Sequence, residues 1–278
     1  MRINPIIAER IMKAILFLAC SVTIFFLLFI IGFVLKNGIS AVTPSFLFGK
    51  VSDMGRAGGI FPAIVSTVYI TILAIVIAAP LGVGSAIYLT EYAKAHKAAR
   101  VIRFGVECLA GVPSIIFGLF GFVFFVITLH LGWSLLSGGL TLAAMILPTI
   151  IRTAEEAVKS VPPSYREVSF SLGGSRWQTV TRAVLPSALP GILTGVILSI
   201  GRSVGETAAV IFTAGSSVRM PLSLFDSGRT MAVHFYILAR EGLSMKNAYG
   251  TATILILSIL LINIAAYGLM HRYISGRR

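Results

Sequence analysis

Six apolar runs, separated by short charged stretches, dominate the chain. A helix needs about 20 apolar residues to cross the hydrocarbon layer of a bilayer. The runs that meet or approach that length are residues 14–35, 64–89, 109–131, 135–151, 189–213 and 252–270. The fourth run is the shortest, yet without it the charged segments on its two sides would lie on opposite faces of the membrane. The pattern therefore predicts one membrane domain over residues 1–278, an all-α polytopic bundle of six transmembrane helices.

The composition argues against an ordinary soluble domain. Hydrophobic residues make up 56% of the chain and charged residues 12%, with a mean hydropathy of +0.93, whereas a soluble domain carries about 25% charged residues. The first run, 14–35, is longer than the roughly 7–15 apolar residues of a signal peptide, so we expect it to remain as a helix. Cys20 and Cys108 lie in or beside apolar runs, and we interpret both as packing residues.

The location of the basic residues accounts for the net charge of +13. No nucleic-acid-binding motif accompanies them, so a nucleic-acid partner is not predicted. Fifteen lysines and arginines lie before the first run, in 94–103, in 152–182 and after the sixth run, against seven in the alternate loops. Because cytoplasmic loops carry the excess of Lys and Arg, we expect both termini and the loop 152–188 to face the cytoplasm. This predicts a multi-pass protein of a bacterial or archaeal inner membrane.

The loop 152–188 is too polar to enter lipid and too regularly interrupted by apolar residues to be disordered. The prolines at 162–163 are expected to stop the preceding helix. Ser164 then has the composition of an N-cap, with Glu167 at the third helical position, and the glycines at 173–174 are expected to end the helix in a turn. The pattern predicts short helices in this loop.

The same loop resembles the cytoplasmic signature of binding-protein-dependent ABC permeases. That signature reads Glu-Ala-Ala, three residues, Gly, nine residues, Ile, one residue, Leu-Pro. Its fixed positions are occupied here by Glu167, Gly173, Leu185 and Pro186. Its two alanines and its isoleucine are replaced here by Val168, Ser169 and Ala183. The match therefore depends on spacing and on the end points of the motif.

This resemblance implies the type I ABC importer (MetI-like) permease fold, and a short helix that docks into a cleft of a separate ATP-binding subunit. The residues expected to contact that subunit are Arg166, Glu167, Phe170, Leu172, Gly173 and Gly174. An amphipathic loop that packs beneath its own bundle is the alternative. The sequence contains no GxxxxGK[ST] phosphate-binding loop, so this chain is expected to bind no cofactor, and ATP is expected to be used by the partner subunit.

Arg202 and Glu206 are ionisable residues inside the fifth apolar run. Charges within a membrane are costly, so they are functional-site hypotheses by default. Their spacing of four places both on one helix face, where Arg202 would offer a fork of donors to an oxyanion and Glu206 would hold that fork. A purely structural ion pair is the alternative. Arg152, at the expected end of helix four, is either a second positively charged residue on the path of the oxyanion or an anchor that fixes the membrane topology.

Several strings carry a narrower resemblance that covers nearly the whole chain. They are GIFPAI at 59–64, AIYLTEYA at 86–93, GVPSIIFGLF at 111–120, LPTIIRTAEEA at 147–157, GETA at 205–208 and AVHFYILAREG at 232–242. Together they resemble PstA-type phosphate permeases. The resemblance implies a heterodimer with a PstC-like sister permease, a PstB-like ATPase dimer, and a PstS-like phosphate-binding protein that the outer loops 36–59 and 215–250 would meet. It also makes Arg202, Glu206 and Arg152 candidate residues of the substrate pathway.

Three other functions are alternatives to phosphate import by an ABC permease. Sulfate, molybdate or phosphonate would suit an arginine-lined path almost as well. An ion-coupled phosphate carrier would leave the motif spacing unexplained, and the chain shows no self-similar halves. A membrane enzyme is disfavoured because the few intramembrane polar residues form no carboxylate pair, nucleophile with a base, or histidine cluster.

Overall fold

A computed structural model of the chain describes residues 5–93 and 97–275. The helices are α1 (Pro5–Gly38), α2 (Pro44–Phe48), α3 (Phe61–Ile87), α4 (Lys97–Ala110), α5 (Ser114–Gly121), α6 (Leu135–Lys159), α7 (Pro163–Ser171), α8 (Arg176–Thr179), α9 (Leu185–Val204), α10 (Ala208–Thr213), α11 (Met231–Arg240) and α12 (Met245–Ser275). The π-helical turns Tyr88–Tyr92, Phe122–Thr128 and Val180–Val184 follow α3, α5 and α8. Strands β1 (Val51–Ser52) and β2 (Ala57–Gly58) pair antiparallel. Of the charges used to predict topology, Arg2, Lys94, Arg277 and Arg278 lie outside the described residues.

The predicted all-α membrane bundle is confirmed, with corrected boundaries. Five helical segments are long and apolar enough to cross a membrane, and the bent pair of α4 and α5 makes a sixth if it counts as one span. The five are Glu9–Ala41, Phe61–Tyr92, Leu135–Lys159, Arg176–Val204 and Met245–Arg272. The fourth span is therefore not short, because the polar residues after Ile151 continue the same helix instead of beginning a loop.

The third span differs most from the predicted helix 109–131. Helix α4 ends at Ala110, α5 begins at Ser114, and the two meet at an angle of 103°. Pro113 lies at this break, and a proline disfavours helical geometry in the residue before it. Together with its π turn, α5 covers fifteen residues and about 22 Å, less than the thickness of a bilayer core. Helix α4, which carries basic and apolar residues, turns away from the direction of the span.

Helix α6 lies at the centre of the bundle, between α3 and α9. Its side chains at Leu142, Ile146 and Ile150 are fully buried and form one apolar cluster with Ile70 and Ala74 of α3. Several buried hydroxyls in these helices, those of Ser66, Thr67, Thr141 and Ser199, donate to the carbonyl four residues earlier, which satisfies them in an apolar interior.

Two glycines bring α5 close to its neighbours. A Cβ atom at Gly118 would lie 2.9 Å from the Cα atom of Ala209 in α10, and one at Gly121 would overlap Thr141 of α6. Small residues of this kind allow membrane helices to approach backbone to backbone. Only this face of α5 is covered in the single chain, because large side chains on its other face, such as Phe120, are exposed.

The fifth span is also divided, and this changes the predicted helix 189–213. The helical segment begins much earlier, at Arg176, and α9 ends at Val204. Three residues, 205–207, separate it from the six-residue α10. The predicted single helix carrying both Arg202 and Glu206 is therefore wrong, because the chain leaves helical geometry between them.

Candidate functional site

Helix α7 lies at one end of the bundle, between a pair of prolines and a glycine turn. Pro162 precedes it with extended geometry and Pro163 begins it, so the predicted stop at the two prolines is confirmed. The predicted N-cap is wrong, since Ser164 lies inside the helix. At the other end Gly173 has φ +79°, a conformation that glycine adopts without strain. Gly174 N–H donates to the Ser169 carbonyl at 2.9 Å, which closes the turn.

A capping box that the sequence reading missed starts the next helix. The Ser175 hydroxyl accepts from Gln178 N–H at 3.2 Å, and the Gln178 side-chain oxygen accepts from Ser175 N–H at 2.8 Å. These reciprocal bonds fix the direction in which the chain returns to the bundle. The turn between α7 and α8 is thus defined by glycine geometry on one side and by a cap on the other.

Every residue of α7 except Arg166 and Ser169 is exposed. Large apolar side chains of α7, of the turn after it and of α8 are exposed outside the bundle and form what we call the α7 patch, which consists of Tyr165, Val168, Phe170, Leu172 and Trp177. Leu172 is 83% exposed and Trp177 66% exposed. Glu167 is exposed beside them. A loop packed beneath its own bundle would bury such side chains, so that alternative does not describe this segment.

Arg166 points the other way, into the bundle. Its guanidinium lies against the Glu91 carboxylate, with Nη2 to Oε1 at 2.6 Å and Nε to Oε1 at 3.0 Å. The same group donates to the carbonyls of Val158 at 3.0 Å and Val161 at 2.9 Å. Only 14% of the Arg166 side chain and 7% of the Glu91 side chain are exposed. The predicted contact of Arg166 with a partner subunit is therefore corrected, because its donors are used within the chain.

A second ionic cluster lies at the same end of the bundle. Glu155 of α6 is buried and accepts from Arg103 Nε at 2.7 Å and from Lys159 Nζ at 3.0 Å. Arg103 also donates to the Leu89 carbonyl at 2.8 Å, so it joins α4 to the end of α3. Arg152 is exposed within α6, two turns before the helix ends, and borders a cavity of about 80 Å³ beside this cluster.

Arg202 lies in the last turn of α9. Ile200 and Val204 line a lateral groove of about 490 Å³ together with Ile72 and Val76 of α3, and Arg202, two positions from each of them, lies on the other side of α9. Arg202 itself is exposed, and within residues 5–93 and 97–275 it forms no ion pair. This segment is a candidate membrane span, and a guanidinium within a span is costly to expose to lipid. The surface around Arg202 therefore requires water or a second protein.

Glu206 has a different role from the predicted one. Its Oε1 atom accepts from Ala209 N–H at 3.3 Å, so it caps the start of α10 instead of holding Arg202. Neither the predicted ion pair of Arg202 with Glu206 nor a common site with Arg152 forms in the described chain. The three candidate pathway residues occupy separate places, with Arg202 exposed in the last turn of α9, Glu206 at the helix break and Arg152 near α7.

The opposite end of the bundle, around α11, contains a buried arginine that the sequence reading did not single out. Arg229 donates to the carbonyls of Ser216 at 2.9 Å and Met54 at 3.4 Å, and its Nη1 lies 3.4 Å from His234 Nδ1. Burial lowers the pKa of Arg229, and the Glu241 carboxylate offsets part of that effect. Burial, and secondarily the charge of Arg229, lower the pKa of His234 from 6.5 to about 4. Since Arg229 only donates, His234 accepts through a neutral ring.

Some of the missed residues had a visible signal in the sequence. Glu91 and Glu155 are two of only ten acidic residues in the chain, and each adjoins a long apolar run, where a charge needs a partner. Arg229 had no such signal, because it lies in a loop with other basic residues.

The chain is similar to known proteins both in sequence and in structure. The model of the family described as binding-protein-dependent transport system inner membrane component matches residues 80–278. Over an alignment of 279 residues, 34% are identical to the probable ABC transporter permease protein YqgI of Bacillus subtilis, with 95% of each chain covered. The phosphate transport system permease protein PstA of Pasteurella multocida is 33% identical over 265 residues, covering 93% of this chain and 92% of that protein. In structure, a chain of a bacterial alginate ABC transporter is similar, with a TM-score of 0.71, 16% identity and 96% of both chains covered. That likeness concerns the fold alone, and it confirms the predicted importer permease fold.

Proposed function

Because the chain belongs to the family of binding-protein-dependent transport system inner membrane components, we propose that it is the permease subunit of an ATP-driven importer of inorganic phosphate. The family is one of membrane permeases that work with a separate ATPase and a substrate-binding protein. The finer assignment, to a PstC-like sister permease, a PstB-like ATPase dimer and a PstS-like binding protein, is supported by relatives named as PstA phosphate permeases. The chain itself binds no cofactor in this proposal, and the partner uses ATP.

The α7 patch is the observation that carries the assignment to an ATP-driven transporter. Five large apolar side chains are exposed on α7, the turn after it and α8, and Arg166 holds α7 to the bundle. A soluble surface rarely exposes such a group unless a partner covers it, and a helix with one apolar face fits a groove. Glu167, Phe170, Leu172 and the glycine turn at 173–174 are the predicted docking residues that remain available to an ATPase. Trp177, which the sequence reading did not include, joins them.

The docking role is tested by Leu172→Glu in the complete transporter. Placing a charge in the centre of an apolar contact should cost at least about 2 kcal/mol of binding, or more than tenfold in affinity, so the ATPase should no longer copurify. Leu222→Glu is the matched control, because Leu222 is 91% exposed and lies in the loop before α11, away from α7. Equal retention of the ATPase by both variants would contradict docking at the α7 patch.

The orientation follows from the same assignment. If an ATPase binds the α7 patch, α7 and both termini face the cytoplasm, and the α11 end faces the substrate-binding protein. The excess of basic residues in the segments on the α7 side supports this orientation. The chain is thus placed as a multi-pass protein in a bacterial or archaeal plasma membrane.

Phosphate is proposed as the substrate because a planar guanidinium can pair with an oxyanion through two parallel hydrogen bonds. Arg202 is exposed in the last turn of α9, where the surface of a sister permease would complete a path. Arg152 is proposed as a second positive station nearer the cytoplasm, and Glu206 shapes the helix break between α9 and α10. Transport requires passage and not tight retention, which suits a single exposed arginine.

Uptake of labelled phosphate into vesicles tests the substrate assignment. Arg202→Ala should abolish uptake while the complex still assembles, whereas Arg219→Ala, at an exposed arginine of the α11 end, should leave it near the wild-type level. Competition by sulfate, molybdate or phosphonate stronger than by phosphate would assign another oxyanion. Uptake driven by an ion gradient without nucleotide would identify a secondary carrier instead.

A further inference from the structure

The contact between Arg166 and Glu91 joins three segments that are far apart in the sequence. Arg166 belongs to α7, Glu91 to the π turn after α3, and the two carbonyls that Arg166 also binds belong to Val158, in the last turn of α6, and Val161, just beyond it. Each nitrogen of the guanidinium donates at least one hydrogen bond. Because both side chains are largely buried, separating them would leave a charge in an apolar interior, which costs several kcal/mol. The two side chains are therefore expected to move together.

Two π turns lie in the segments that α7 contacts. Glu91 lies within the turn Tyr88–Tyr92, and α8 continues into the turn Val180–Val184. A hydrogen bond of 2.8 Å between the Ser169 and Thr179 hydroxyls joins α7 to α8. π turns in α-helices are found mostly at functional sites, because they are places where a helix can change its local geometry. Helix α7 is thus tied to two long helices at points that can bend.

We infer that the Arg166–Glu91 pair is the positioning contact through which movement of α7 is transmitted to α3, and so determines how much transport accompanies each ATP hydrolysed. This inference rests on the proposed function. The side chain of Arg166 is largely buried against the bundle, whereas the side chains of the α7 patch are exposed. Breaking the pair should therefore leave the surface offered to the ATPase in place, while α7 becomes free to pivot without moving α3.

The test uses the complete transporter in vesicles, with phosphate uptake and ATP hydrolysis measured in the same preparation. Glu91→Gln keeps the shape of the side chain and removes the charge. We expect the amount of phosphate taken up per ATP to fall by about fivefold or more, the range of typical coupling between sites, with the ATPase still bound. Arg166→Lys should give an intermediate ratio, because an ammonium cannot reach the carboxylate and both carbonyls together.

The matched control is Glu156→Gln, the same change at an exposed carboxylate of α6 whose nearest ion pair is with Lys159 at 3.5 Å. It should leave the ratio unchanged. An unchanged ratio in Glu91→Gln would overturn the inference while leaving the proposed function intact. Should Glu91→Gln not assemble, the ratio of Arg166→Lys decides, and a wild-type value there would overturn it. Failure of the wild-type chain to bind an ATPase would instead refute the proposed function.

Discussion

Two buried arginines, one at each end of the bundle, tie together distant segments in different ways. Arg166 pairs with the carboxylate of Glu91 and with two carbonyls. Arg229 also binds two carbonyls, but its third partner is the ring of His234. In the described part of the chain, no carboxylate forms an ion pair with Arg229. One end is therefore held by paired charges and the other by a charge among dipoles.

The different partners of the two arginines determine how easily each end of the bundle can move. A buried cation paired with a carboxylate stays in place, because moving either partner leaves the other unpaired. A cation held by carbonyls and a neutral imidazole loses less when it moves, and its surroundings respond to protonation. We therefore expect the α7 end to move as one unit under an applied force, and the α11 end to loosen more easily and in a pH-dependent way.

The largest expected effect is that of Arg166→Met. This change leaves Glu91 buried without a counter-charge and leaves two carbonyls without their donor, so it should destabilise the chain by about 3–5 kcal/mol. The midpoint of thermal unfolding in detergent measures the loss. The double variant with Glu91→Met should recover much of it, because two apolar side chains replace the pair. A double variant as unstable as Arg166→Met would show that the carbonyl contacts, and not the ion pair, hold this end.

Much of the fold could be predicted because lipid imposes one dominant rule. Every spanning segment must be apolar and must satisfy its own backbone, so apolar length alone located the helices. The boundaries failed where polar residues continue a helix, as Glu155 and Lys159 do in α6. Their charges are neutralised by one another and by Arg103, a partner 52 positions away that no local pattern reveals.

Prediction of the candidate site was limited in the same way, by contacts between residues that are distant in the sequence. The spacing from Glu167 to Pro186 located α7 and its glycine turn, because these depend on local backbone geometry. The inward direction of Arg166 depends on Glu91, 75 residues earlier in the chain. Likewise, a spacing of four residues places Arg202 and Glu206 on one helix face only where the helix is continuous. The helix breaks at 205–207, where α10 packs against α5 and α6, and no local pattern reveals that packing.

The next largest effect is the pH dependence of the α11 end. The pKa of His234 is about 4 in the folded chain against an ordinary 6.5. Between these values the unfolded chain binds a proton that the folded chain does not, so stability should fall as the pH is lowered through this window. At pH 5 the loss from this residue is about 2 kcal/mol. His234→Gln, which cannot be protonated, should lose less stability than the wild type between pH 7 and pH 5. An equal loss in both would assign the pH dependence to other groups.

The smallest effect, and the one that most sharpens the comparison, is that of Arg229→Met. The variant loses the hydrogen bonds to Ser216 and Met54 but also removes a buried charge that has no carboxylate partner, so we expect a net loss of about 1 kcal/mol, well below that of Arg166→Met. The pKa of His234 should rise, because one of its two causes is gone, yet stay below 6.5 because burial remains. The pH at which stability begins to fall measures this change. A loss as large as that of Arg166→Met would mean that both ends are held equally firmly, and the comparison between them would fail.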